Sequence, residues 1–187
     1  MERRELRIAG FGGQGVVLSG SIVGKAASIY DQGFAALTQS YGPEARGGSC
    51  TAEIVMSPEP VDYPYVTHPQ VVIILAQEAY ANYGRSAPPG TLVIIDPDLV
   101  TPDPDIEPAP LLIPATRMAR EMGRVVVANI VMLGFLAAVG DLLPPEALRK
   151  AVEASVPQGT EEFNLKAFNL GHAYGLEHGG QSGDSAN

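Results

Sequence analysis

The sequence predicts an α/β protein of a single domain, a Rossmann-like and mostly parallel sheet flanked by helices. Three observations carry this. Leu6–Gly10 is a short apolar strand that runs straight into the glycine-rich turn Gly10–Gly15 and then into an apolar helix from Val16 to Ile29. That order is a βα unit opening a parallel sheet. Val71–Leu75 and Leu92–Asp96 are unbroken apolar runs of strand length, as strands covered on both faces are. The 187 residues are 45% apolar and 18% charged, too hydrophobic for disorder and long enough to bury a core without disulfides or metals.

The remaining elements follow in order. Phe34–Thr38 reads as the second strand, and Gln39–Ser49 as a polar, glycine-rich loop. Cys50–Met56 alternates like a half-buried strand. Ser57–Pro69 holds four prolines and is irregular. A short helix is expected around Gln77–Tyr83. Thr101–Pro114, with five prolines, is a surface excursion ending in a short strand at Leu111–Ile113. Thr116–Met122 and Ala128–Val139 read as helices, and Pro144–Val156 as a third with prolines in its first turn, where no amide donor is needed. Thr160 is the expected N-cap of a last helix, with Glu161 and Glu162 beside its positive end. The domain spans residues 1–178, and the polar tail 179–187 is expected to be disordered.

Composition excludes several functions. A net charge of −9 and a pI near 4.7 oppose a nucleic-acid or anionic-membrane partner. One cysteine, Cys50, cannot form an internal disulfide or ligate a cluster alone. His68, His172 and His178 lack the spacing of helical metal ligands, so no metal site is visible. The N-terminus lacks the roughly 7–15-residue apolar core of a signal peptide. The longest apolar run, Val125–Val139 broken by Asn129, is shorter than the roughly 18–20 residues of a membrane span. It reads as a buried helix, and the protein as cytoplasmic.

Gly10, Gly12 and Gly15 satisfy G-x-G-x-x-G, with Gly13 and Gln14 between them. Glycines between a strand and a helix let backbone amides approach an anion at the helix's positive end. A dinucleotide site also wants an acid at the end of the second strand, and FAALT is followed by Gln39 and Ser40. Asp31 precedes that strand. A P-loop fails too, because Gly24-Lys25 is followed by Ala26 rather than a hydroxyl residue. Phosphate contact, close strand–helix packing and contact with another chain all remain open for this loop. In Ser40–Gly48, Arg46 could clamp an anion or simply pair with Glu44 on a solvated turn. The buried amide of Asn129 needs a partner, and capping or bridging backbone groups in the core suits it better than a ligand contact.

The loops GFGGQGV (Gly10–Val16) and QSYGPEARGG (Gln39–Gly48), with VDYP (Val61–Pro64), NIVMLG (Asn129–Gly134) and EFNLKAF (Glu162–Phe168), resemble the gamma subunit of the 2-oxoacid:ferredoxin oxidoreductases. The SYGPEARGG form is most similar to 2-oxoglutarate or 2-oxoisovalerate members. The resemblance implies a non-catalytic subunit of a complex with alpha, beta and delta partners. That complex converts a 2-oxoacid to its acyl-CoA and reduces ferredoxin. It also implies thiamine diphosphate and iron–sulfur clusters on the other chains, and coenzyme A as the ligand associated with this one. Gly10, Gly12, Gly13, Gln14 and Gly15 would then present amides to a phosphate of coenzyme A or to a neighbouring chain. Tyr41, Glu44, Arg46, Gly47 and Gly48 would lie at a subunit interface. Apolar partner surface left uncovered allows a homodimer when the chain is alone. The competing readings are a stand-alone dinucleotide- or S-adenosylmethionine-dependent enzyme, which the missing acid disfavours, and a scaffold without ligand.

Overall fold

The computed structural model describes residues 2–42 and 48–179. Six strands form one sheet: β1 (Arg4–Phe11), β2 (Phe34–Tyr41), β3 (Ser49–Ser57), β4 (Val71–Ile74), β5 (Leu92–Ile95) and β6 (Leu111–Leu112). Their spatial order is β2-β3-β1-β4-β5-β6. β1, β4, β5 and β6 run parallel, with Ile8 opposite Ile73 and Ile73 opposite Ile94. β3 is antiparallel to both β1 and β2, so the sheet is mixed.

Alternation explains why the central strands read as continuous apolar runs. Leu6, Ile8, Ile73 and Ile94 face the larger core, beneath α1 (Val16–Lys25), α3 (Ala115–Glu121), α4 (Ala128–Val139), α5 (Pro145–Glu153) and α6 (Glu161–His178). The intervening Ala9, Val72, Ile74, Val93 and Ile95 face a second core built with Tyr80 and Val100. On that side lies the short α2 (Gln77–Ala79), extended by a π-type turn over Tyr80–Gly84. Both faces of the parallel strands are therefore covered.

The second strand differs most from the sequence reading. It runs through Tyr41 and forms a hairpin with β3, which separates it from β1. Apolar character marks a strand but not its neighbour, and β2 has become the sheet's edge. The first helix ends at Lys25 and widens into a π-type turn at Ala26–Tyr30. Thr160 is not a side-chain cap: its hydroxyl donates to the Pro157 carbonyl and accepts from Asn164 Nδ2. α4 starts at Ala128 after a 3₁₀ turn over Val125–Val127, of which Val125 and Val126 are exposed. No described helix is long and apolar enough to cross a membrane. Of the expected tail, all but Gly179 lies outside the described residues.

A buried carboxylate orders the proline-rich loop between β3 and β4. Glu5, in β1, accepts hydrogen bonds from the amides of Thr67 and His68 and from the Arg3 guanidinium. Burial by itself would raise its pKa, but these donors outweigh it and hold the carboxyl below its usual range.

Candidate functional site

The two unusual loops of the sequence meet at the carboxyl end of β1. The glycine loop, residues 12–15, leads into α1, and the β2–β3 hairpin closes beside it. The Gly12 amide donates to the Gly48 carbonyl at 2.9 Å, and the Gly42 amide to Ser49 at 2.7 Å. This places Gly48 and Tyr41, whose side chain is exposed, at the glycine loop. Glu44, Arg46 and Gly47 lie outside the described residues.

Hydrogen bonding divides the five loop residues. Gln14 points inward: its Oε1 accepts from the Phe11 amide at 2.6 Å and its Nε2 donates to the Leu75 carbonyl at 2.7 Å. One side chain thus ties the ends of β1 and β4 together, at the point where the chain's connections diverge to the two halves of the sheet. The Gln14 amide itself bonds to the Phe11 carbonyl. Gly10 is part of β1, opposite Cys50. The expectation that all five residues offer amides therefore needs correction, since Gly10, Gly12 and Gln14 serve the fold. Among the described residues, the amides of Gly13, Gly15, Val16 and Val17 have no acceptor. They lie at the N-terminus of α1, where the helix dipole favours negative charge.

Asn129 supports this cradle from below. It is buried, and its Nδ2 donates to Ser19 Oγ of α1 at 3.3 Å. A Cβ on Gly15, which has φ +75°, would come within 2.5 Å of the Asn129 amide. The partner of Asn129 is therefore a side chain and not the backbone groups expected, and the contact joins α4 to α1 directly under the loop. Beside Gly13 and Gln14 opens a cleft of about 230 Å³ walled by Leu75, Leu99, Val125 and Val126. Asp96 lies at its base, buried, accepting from the amides of Asp98 and Thr116 at 2.9 and 2.7 Å. Asp96 ends an apolar run at the carboxyl end of a parallel strand. That position was the signal available in the sequence.

The topology removes the physical basis of a dinucleotide site. An acid at the end of a second strand reaches a ribose only when that strand adjoins the first. Here β3 intervenes. Cys50 is buried with its thiol pushed up by desolvation, so it is poorly suited to ligate a metal or cluster. Among the described residues, no three His, Cys, Asp or Glu side chains converge as metal ligands.

Residues 5–174 match the family model described as pyruvate ferredoxin/flavodoxin oxidoreductase. The chain belongs to this oxidoreductase family. Within the family, it is 46% identical to the 2-oxoglutarate synthase subunit KorC of Methanocaldococcus jannaschii, over 94% of this chain and 95% of that one. The KorC of Methanothermobacter marburgensis is 44% identical over 94% and 98% of the two chains. Among solved structures, the gamma subunit of the keto/oxoacid ferredoxin oxidoreductase from Geobacter sulfurreducens superposes with a TM-score of 0.81 and 38% identity. The match covers 93% of this chain and 99% of that one. The 2-oxoglutarate:ferredoxin oxidoreductase from Magnetococcus marinus, solved with 2-oxoglutarate, coenzyme A and succinyl-CoA bound, shares the fold. It has a TM-score of 0.79 at 24% identity, covering 95% of this chain but 32% of that one. The fold is thus shared with the gamma subunit of an oxoacid oxidoreductase.

Proposed function

We propose that this chain is the gamma subunit of a 2-oxoglutarate:ferredoxin oxidoreductase in the cytoplasm, working with alpha, beta and delta chains. The complex decarboxylates the 2-oxoacid oxidatively, forms its CoA thioester and passes the electrons to ferredoxin. The observation that carries the assignment is 46% identity spread over nearly the full length of both this chain and a 2-oxoglutarate synthase subunit. A gamma subunit in a solved oxoacid oxidoreductase has the same fold over 99% of its length.

The residues here do not supply redox chemistry. A single buried cysteine does not fit an iron–sulfur cluster, and on this reading the clusters and the thiamine diphosphate would be held by the partner chains. The glycine loop does fit an anion. The amides of Gly13, Gly15, Val16 and Val17 would hold a phosphate of coenzyme A at the N-terminus of α1. Coenzyme A supplies the thiol that accepts the acyl group. This chain's share is to bind and orient it with backbone donors that do not titrate. Tyr41, Gly48 and the hairpin they flank would face a partner subunit, with Glu44, Arg46 and Gly47 between them.

Gly13 provides the test. Its φ is +96°, and no neighbouring atom would meet a Cβ there. Gly13→Ala therefore strains the loop by about 1–2 kcal/mol without disturbing the core. In the reconstituted complex, the KM for coenzyme A should rise while kcat and assembly hold. An unchanged KM for coenzyme A, with weakened assembly, would instead favour a scaffold that contacts only protein.

A further inference from the structure

Polar groups are few in the cleft beside the glycine loop, and nearly all of them are acceptors. Asp96, 1% exposed, accepts the amides of Asp98 and Thr116 at the base. A carboxylate has roughly four acceptor sites, so about two stay open. Two further side chains at the cleft are more than nine-tenths buried, Thr116 at 8% exposure and Asn129 at 4%. Asn129 commits its Nδ2 to Ser19. Its Oδ1 and the Thr116 hydroxyl bond to nothing among the described residues. Neither atom is sealed in, since Ser155 Oγ is the one fully buried side-chain atom there without a partner. Both therefore open onto the cleft they line.

We propose that this cleft binds the adenine base of coenzyme A, so that the chain holds the nucleotide half and leaves the thiol arm to its partners. The inference rests on the glycine loop as the phosphate site. Charge decides which part of the ligand enters the cleft. The Asp96 carboxylate repels a phosphate or the carboxylates of a 2-oxoacid. Among the described residues, no lysine or arginine lines the cleft to offset it. A neutral group with N–H donors is favoured instead. Adenine brings an exocyclic amine for Asp96 or Asn129 Oδ1, and a ring nitrogen that accepts from the Thr116 hydroxyl. Its apolar faces suit the walls of Leu75, Leu99, Val125 and Val126. The pantetheine arm fits worse, because its two carbonyls need donors and Thr116 offers one hydroxyl. Gly13 borders both the cleft and the free amides of α1, so base and phosphate would be neighbours. The place is the crevice at the carboxyl ends of the parallel strands, where α1 and α2 leave to opposite faces.

Inhibition of the reconstituted complex tests it, with three probes. These are adenosine bisphosphate (the nucleotide half alone), its inosine counterpart, in which an oxygen replaces the amine, and inorganic pyrophosphate. Adenosine bisphosphate should compete with coenzyme A, and the inosine compound should bind about tenfold more weakly, because its oxygen meets Asp96. Thr116→Val removes a hydroxyl that holds nothing in the fold, and Leu99→Ala trims a wall. Each should weaken adenosine bisphosphate and raise the KM for coenzyme A several-fold, with pyrophosphate inhibition unchanged. Equal inhibition by the two nucleosides, or no competition by either, would overturn the proposal. So would cleft variants that weaken pyrophosphate as much as the nucleotide. Gly13→Ala should weaken pyrophosphate and keep the preference for adenosine. Pyrophosphate inhibition indifferent to Gly13→Ala would sink the reading of the loop, and the adenosine preference would then decide the cleft by itself.

Discussion

Gln14 and Glu5 turn their polar ends into the molecule and organise the backbone around them. Gln14 joins the ends of β1 and β4, and Glu5 gathers the amides of Thr67 and His68 and the Arg3 guanidinium. Neither role was legible in the sequence, where Gln14 reads as one more member of a ligand loop and Glu5 falls just before the strand expected from Leu6. The partners lie some sixty residues away, at distances in the chain that no local pattern reports. The Glu5 carboxyl has a lowered pKa in the folded state, so its ionised form contributes stability above the ordinary carboxylate range. That contribution is lost as pH falls through the folded value. Glu5→Gln should therefore cost about 1–3 kcal/mol at neutral pH, because amides built around a carboxylate lose their charged acceptor. The gap between wild type and variant in urea denaturation should narrow from about pH 5 to pH 3. A gap independent of pH would count against the role given to the carboxylate.

Among the elements, the α4–α6 pair is the tightest junction, and its glycines explain two motifs that were visible but unexplained. NIVMLG ends at Gly134, where a Cβ would run into the Phe168 carbonyl, and Gly171 faces the Val131 carbonyl in the same way. The helices touch backbone to backbone, so each glycine is a place where no side chain fits. Gly134→Ala should destabilise the fold by about 1–3 kcal/mol, by forcing the helices apart. Thermal melts of the variant should show it, and an unchanged Tm would mean that the contact is looser than described. The helices themselves were legible from apolar runs and proline positions, within a turn at their ends. The strand order was not. Phe34–Thr38 was legible as a strand from its apolar residues, which do not report the neighbour or the direction of pairing. Two apolar runs separated by a glycine-rich loop are also the signature of a hairpin.

For the whole molecule, the two loops identified the family and the topology explains why they occur together. Gly12 and Gly48 are hydrogen-bonded neighbours, so the motifs form one surface at the carboxyl end of β1. The cleft beside it, with Asp96 at its base, was not legible, because its walls come from five separate stretches of chain. Among the described residues, what the surface offers is a set of backbone amides and apolar walls. The central claim is therefore that this chain completes an enzyme and does not act alone. The most direct measurement is viologen reduction with 2-oxoglutarate and coenzyme A, run on this chain, on the alpha, beta and delta chains, and on all of them combined. The account predicts no turnover by this chain, little by the others, and full activity on mixing. Full-rate turnover by the other chains without this one, or any by this chain unaided, would contradict it.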